Sequence, residues 1–362
     1  MSTLIEDIVA SGLESLKKKF DTAILESKKA LVTGGAGFLG SWLSDILVSA
    51  DASVTCVDDL STGLTGNIER LIEASRFTFR NVDVTRFDSD GVTYDLIFHL
   101  ASRASPDEYQ QHPVETLAAN SQGLQNMLEL ARKSDCILLY ASSSEVYGDA
   151  EVVPTSESYW GRVNPVGPRS CYDEGKRFGE ALCMAYHRAY GLDVRVVRLF
   201  NSYGPRLRAD GDYARAISRF IRQASTGSDI TIHGDGSQTR SFCYATDSTA
   251  GILLAATRAG MRGEVVNIGN PHEITILDLA EKIRKQIVSR SRIVFRPRPA
   301  DDPQRRCPEI SKARTILGWS PQVSLEDGLT QTIRWFTERR VATKREGLRL
   351  GARGSDASSG GH

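Results

Sequence analysis

Seven consecutive residues restrict the fold of this chain more than any others. An apolar run, Lys29-Ala30-Leu31-Val32-Thr33, gives way at once to Gly34-Gly35-Ala36-Gly37-Phe38-Leu39-Gly40, after which Leu43, Ile46 and Leu47 recur at helical spacing. A buried strand that turns straight into a helix is the opening of a βαβ unit, and such units build parallel sheets covered on both faces. The glycines allow a tight turn, let the backbone approach a phosphate group and bring helix against sheet. Free N–H groups at the helix start then favour an anion. The spacing is G-x-x-G-x-x-G rather than G-x-G-x-x-G, so the loop by itself leaves a ligand-free turn open.

The following segments repeat the pattern and narrow the reading. Ser53 to Val57 form a second strand that ends at Asp58-Asp59, roughly 20 residues beyond the glycines, where a carboxylate bonds the adenosine ribose and repels a 2′-phosphate. NAD is therefore expected over NADP. Phe77-Thr78-Phe79 lead a third strand into Asp83-Val84, a position suited to adenine, and Asp95 to Ser102 supply a fourth. The expected NAD-binding residues are Gly34, Gly37, Phe38, Leu39, Gly40, Asp58, Asp59, Thr62, Gly63, Asp83, Val84, Leu100, Ala101 and Ser102. The fold expected is α/β: a Rossmann-type doubly wound parallel sheet with a smaller C-terminal α/β substrate-binding domain. His99, inside an apolar strand, reads as a hydrogen-bonded core histidine.

The chemistry is expected further along. Ile137-Leu138-Leu139-Tyr140 run into Ala141-Ser142-Ser143-Ser144-Glu145, a buried strand delivering hydroxyls and a carboxylate to the crevice at its carboxyl end. Tyr172 and Lys176 are four residues apart and share a helix face. A hydroxyl, an acid and a Tyr/Lys pair together suit the removal of a proton from a sugar alcohol.

After a sixth strand, Val194 to Phe200, the pattern shifts to short strands, short helices and more arginine, which could clamp a diphosphate or carboxylate. Val265 to Gly269 read as a strand returning to the sheet. The expected organisation is an amphipathic helical extension over 1–28, a nucleotide-binding domain over 29–205 with a returning segment near 238–268, a substrate-binding cap over 206–340, and a Gly/Ser-rich disordered tail over 341–362. The extension carries Leu4, Ile5, Ile8, Val9, Leu13, Leu16 and Phe20 at helical spacing and reads as docking on the body or on a neighbouring subunit. With 45 basic and 45 acidic residues the chain has no electrostatic footprint for nucleic acid. It contains no apolar run of the ~18 residues that a membrane span needs. Six cysteines without paired spacing read as reduced thiols of a cytoplasmic protein, and the histidines show no metal-ligand spacing.

Tyr172-x-x-x-Lys176 behind such a nucleotide fold resembles the extended short-chain dehydrogenase/reductase superfamily. Within it the likeness is strongest to the UDP-glucuronate decarboxylases, the UDP-xylose synthases. It rests on Ser144-Glu145-Val146-Tyr147-Gly148-Asp149, on Tyr159-Trp160-Gly161 through Gly167-Pro168-Arg169 to Cys171-Tyr172-Asp173-Glu174-Gly175-Lys176-Arg177, on Phe200-Asn201 with Gly204-Pro205-Arg206, on Gly236-Ser237-Gln238-Thr239-Arg240 and on Asp301-Asp302-Pro303-Gln304. The resemblance implies a tightly bound, recycled NAD, oxidation at C4 of the glucuronosyl ring, loss of CO2 from the β-keto acid, and re-reduction. A phenol has a pKa of about 10, so the Lys176 ammonium is expected to favour the Tyr172 phenolate.

Carried over by position, the catalytic residues are Ser143, Glu145, Tyr172, Lys176 and Arg306, with Arg305 as an alternative to the last. Tyr172 and Lys176 also touch NAD. The substrate residues are Ser102 and Tyr109 at the sugar, Ser144, Glu145 and Arg306 at the reacting end, Asn201 and Arg240 at the diphosphate, and His233 at the base. The family's usual residues are threonine at Ser143, proline at Arg103 and tyrosine at His233, departures that bear on sugar and base binding and on escape of the 4-keto-pentose. A homodimer is implied. Other readings remain open: a UDP-glucuronate 4-epimerase, a nucleotide-glucose 4,6-dehydratase, for which Asp-Glu is expected after the hydroxyl at position 143, or a non-catalytic NAD-binding regulatory protein.

Overall fold

The computed structural model describes the backbone over residues 3–210 and 215–356 and the side chains over 4–210 and 215–340. In chain order it holds α1 (Thr3–Lys19), β1 (Lys29–Thr33), α2 (Phe38–Ser49), β2 (Ser53–Asp58), β3 (Phe77–Asn81), β4 (Leu96–His99), α3 (Pro106–Gln111), α4 (Pro113–Ala118), α5 (Leu124–Ser134), β5 (Ile137–Ser143), α6 (Ser170–Tyr190), β6 (Val194–Leu199) and β7 (Ser202–Tyr203). Then come α7 (Ala216–Thr226), β8 (Ile230–His233), β9 (Thr239–Ser241), β10 (Cys243–Tyr244), α8 (Ala245–Thr257), β11 (Val265–Ile268), β12 (Glu273–Thr275), α9 (Ile276–Gln286), β13 (Ile293–Arg296) and α10 (Leu325–Asp356).

Seven strands form one parallel sheet in the order β11-β6-β5-β4-β1-β2-β3. The inner strands are apolar on both faces because helices cover both: Leu31, Val32, Phe98, Leu138, Leu139 and Val196 are fully buried, each such side chain contributing about 1.5–3 kcal/mol. Strand order reverses beside β1, which opens a crevice at the carboxyl ends of β1 and β4. β11 lies beside β6 as the sheet's last strand, matching the returning strand read at Val265. The expected third strand stops at Asn81, so Asp83 and Val84 lie in the loop beyond it.

The remaining strands pair off as β7–β10, β9–β12 and β8–β13. With α7 and α9 they enclose a second core containing Phe220, Ile221, Ile230, Ile232, Leu279 and Ile283, and this layer overhangs the crevice. α1 docks on the chain's own body: Leu13 and Leu16 join the Trp42 core, while Ile5 and Ile8 pack on Trp335 of α10. At its end, Lys19 Nζ lies 2.5 Å from the fully buried Asp247. α10 runs to Asp356, into the stretch expected as a tail; the side chains of 341–362 and the backbone of 357–362 lie outside the described residues. No helix among the described residues is long and apolar enough to cross a membrane.

Candidate active site

The glycine loop joins β1 to α2 at the sheet's reversal point. Gly34 has φ +69°, and a Cβ added there would sit 2.9 Å from Ala101 N, so the loops after β1 and β4 nearly touch. A Cβ on Gly40 would meet the Gly34 carbonyl at 2.1 Å, so helix and turn pack without room for a side chain. Gly37 starts α2 with no side chain satisfying the helix N–H groups. Such a cradle, closed to side chains and placed at the N-terminus of α2, fits a dinucleotide's pyrophosphate.

Asp58 ends β2 and is buried; its carboxylate accepts from Ala36 N at 3.0 Å and Leu60 N at 2.9 Å. Burial raises its pKa to about 6, although those backbone bonds pull the other way. Gly63 lies against the same carboxylate, and Thr62 lines the crevice with Gly34, Gly37, Phe38, Leu39, Gly40, Leu100 and Ser102. Asp59 is exposed and bonds Ser61, Asp83 bonds Thr85 in its own turn, and Val84 is buried against Gly123. Behind the loop, Thr33 Oγ1 joins His99 Nδ1 at 2.9 Å and accepts from Ala101 N at 3.3 Å. His99 is fully buried, and burial lowers its pKa to about 3, so it is a neutral core histidine.

β5 delivers Ser142, Ser143, Ser144 and Glu145 to the crevice, a cleft of about 440 Å³. Ser143 Oγ accepts from Glu145 N at 3.3 Å, which fixes the turn, and the Ser143 hydroxyl lies near enough to the Tyr172 phenol to favour its ionised form. The Tyr172 ring stacks on that of Tyr109 with centroids 5.1 Å apart. Burial pushes the Tyr172 phenol up to about 12, against the pull of Arg215 and the Ser143 hydroxyl. Lys176, also buried, donates to Ala141 O at 2.8 Å and lies 5.7 Å from the centre of the Tyr172 ring; burial lowers its pKa to about 7. Burial thus opposes the expected lowering of the phenol by Lys176.

Beyond Tyr172 the crevice wall is a lattice of charge. Arg306 holds Glu145 with two bonds of 2.6 Å, and Arg169 adds a third at 2.8 Å. Burial would raise the Glu145 carboxyl, but Arg306 and then Arg169 hold it down at about 2. Arg240 Nη2 donates to both carboxylate oxygens of Asp302 at 3.0 Å. Arg305 points away to Glu273 and is half exposed, which separates it from its neighbour Arg306. Asn201 and His233 line the crevice, whereas Arg103 is paired with Glu108 at 3.2 Å.

Three crevice arginines were not singled out as site residues by their sequence position. Arg169 was legible only as part of Gly167-Pro168-Arg169. Arg215 and Arg219 stand four apart at the start of α7; Arg215 donates to Ala104 O, and the Nε of each is buried without a partner. Their signal was an i, i+4 pair of cations, common on solvated helices.

The model of the NAD dependent epimerase/dehydratase family matches residues 30–269. The chain is 47% identical over 312 residues to UDP-glucuronic acid decarboxylase 1 of Danio rerio, covering 86% of this chain and 73% of that protein. It is 46% identical to the protein of the same name from Xenopus tropicalis, covering 93% and 81%. The solved UDP-glucuronic acid 4-epimerase of Bacillus cereus, in complex with UDP-glucuronic acid and NAD, superposes with a TM-score of 0.77 at 32% identity, covering 86% of this chain and 99% of that one. With that family model matching residues 30–269 and with relatives nearly half identical over most of its length, the chain belongs to the NAD dependent epimerase/dehydratase family.

Proposed function

We propose that this protein converts UDP-glucuronate to UDP-xylose by NAD-dependent decarboxylation. The observation that carries the reading is the 47% identity to a decarboxylase over 86% of the chain, with Ser143, Glu145, Tyr172 and Arg306 lining one crevice and Lys176 buried behind Tyr172. The glycine cradle and Asp58 hold NAD, tightly enough for it to be recycled. Its chemistry when bound is uptake of hydride from C4 and return of that hydride at the end.

The protein's own groups supply the rest. Tyr172 takes the proton of the C4 hydroxyl; its phenol must be brought down from about 12, so the complete site has to add positive charge near it. Ser143 orients the C4 oxygen. Once C4 is a ketone, the carboxylate on C5 belongs to a β-keto acid. As CO2 leaves, the electrons of the broken bond pass to the ketone oxygen, where the Ser143 and Tyr172 hydroxyls stabilise the enolate. A proton that comes in the end from water then adds at C5, aided by Glu145, which Arg306 and Arg169 hold in place, and Arg306 would bind the substrate at its reacting end. The diphosphate falls to Asn201 with Arg215 and Arg219, whose cationic heads have no carboxylate hydrogen bond among the described residues, more readily than to Arg240, which Asp302 already holds.

The segment 206–340, apart from the returning 238–268, acts as the substrate cap. We further read the protein as a cytoplasmic homodimer joined through α4 and α6, where Val114, Leu117 and Phe178 are 73%, 43% and 49% exposed. Size-exclusion with light scattering checks the dimer, and a monomeric wild type would refute it. For the activity, incubation with UDP-glucuronate should release CO2 with no net NADH, and NMR should show a UDP-pentose. Tyr172→Phe should reduce turnover by about 10²- to 10⁴-fold. Absence of CO2 would sink the reading, and a UDP-galacturonate product would replace it by the 4-epimerase.

A further inference from the structure

Asp173 follows the catalytic tyrosine, yet its side chain lies behind the crevice. It is 5% exposed, its Oδ1 has no hydrogen-bond partner, and its Oδ2 is 3.8 Å from Arg169 Nε, beyond hydrogen-bond distance. A carboxylate buried this way, without hydrogen bonds, is costly unless it carries a proton. Arg169, itself 5% exposed, is the centre of the arrangement: 2.8 Å from Glu145, and 3.8 Å from both Asp173 and Asp302. Three carboxylates compete for one guanidinium, and only Glu145 has a hydrogen bond to it.

We propose that Asp173 is a positioning residue whose proton leaves Arg169 committed to Glu145, so that losing this proton draws Arg169 back along α6 and loosens Glu145 during the steps at C5. The inference rests on the role given to Glu145 above. The groups around Asp173 come from four elements: Glu145 in the turn after β5, Arg306 in the loop after β13, Tyr109 on α3, and Arg169, Cys171, Tyr172 and Glu174 at the start of α6. Burial first, and Glu145 second, raise the Asp173 carboxyl to about 8, with Arg169 and Arg306 opposing. Coupling between sites is reciprocal, so a Glu145 that favours the proton on Asp173 is itself held better while that proton stays. An anionic sugar acid arriving at the crevice acts in the same direction as Glu145.

The test compares the pH dependence of kcat and KM for CO2 release between wild type and Asp173→Asn, which mimics the protonated acid at every pH. Wild type should lose kcat above about pH 8, and the variant should carry that limb upward by about one pH unit or more, with KM moving less than kcat. Asp173→Glu, which restores a titrating group, should bring the limb back. Infrared difference spectra of the wild-type enzyme across about pH 8 should show a protonated carboxyl that Asp173→Asn removes; this reading does not depend on activity. Superimposable pH profiles, or a carboxyl band unaffected by the substitution, overturn the proposal. The two readings fail separately: full turnover by Glu145→Gln refutes the role of Glu145, whereas unchanged profiles with an inactive Glu145→Gln refute Asp173 alone.

Discussion

The two walls of the crevice are built on different principles. The glycine loop is local, with the contacts of Gly34, Gly37 and Gly40 made to backbone of the loop itself and of Ala101. The charge lattice draws Glu145, Arg169, Asp173, Arg240, Asp302 and Arg306 from segments up to 161 residues apart, and every link is a side chain. The first depends on side chains being absent, the second on opposite charges being matched where water is excluded. A backbone site therefore fails by collision, and a buried ionic site fails by leaving a charge alone.

Gly40→Val makes the sharpest break. Its Cβ would meet the Gly34 carbonyl at 2.1 Å, so the expected result is a loss of about 3 kcal/mol or more in stability, together with loss of NAD binding, read by denaturant unfolding and calorimetry. Wild-type values would show that the loop yields and that the steric account is wrong. Arg306→Ala comes next: stranding half of the Glu145 pair should cost about 3–5 kcal/mol, while the double variant with Glu145→Gln should recover part of it. Equal losses in the single and double variants would mean that the lattice is not the source of the effect.

The two walls also differ in the sign of their response to pH. Glu145 is depressed from 4.5 to about 2, so its contribution is complete above about 4.5 and is lost as pH falls toward 2. Asp58 is raised from 3.8 to about 6, so its burial costs most above about 6, and the cost fades as pH falls through 6 toward 3.8. Glu145→Gln should flatten the acid-side slope of stability, and Asp58→Asn the slope between 3.8 and 6; unfolding free energies at successive pH values measure both. The smallest effect is expected at an exposed pair outside both walls. Replacing Arg292, 80% exposed beside Asp229, by alanine should leave the unfolding midpoint unchanged because solvent screens the pair, which sets the background for the other measurements.

Legibility followed the same division. The loop, its helix and the returning strand were readable because glycine spacing and apolar periodicity are properties of contiguous residues. Tyr172 and Lys176 were readable as one helix face. Arg169, Arg215 and Arg219 were not, since a cation in a sequence looks the same whether it is solvated or buried. The choice between Arg305 and Arg306 was open for a related reason: adjacent side chains leave the backbone in different directions, and only the pairing of residues 304–306 along β9 shows that one meets Glu273 and the other Glu145.

The sequence by itself determined the parallel sheet, the cofactor cradle and the hydroxyl, tyrosine and lysine at its edge, because each is encoded over a few residues by chain geometry. Tertiary structure alone decided which arginines face the crevice, that Asp302 already holds Arg240, and that Asp173 sits buried without a hydrogen bond. Charge pairing in a dry interior depends on distances between remote segments, and those distances exist only once the chain has folded.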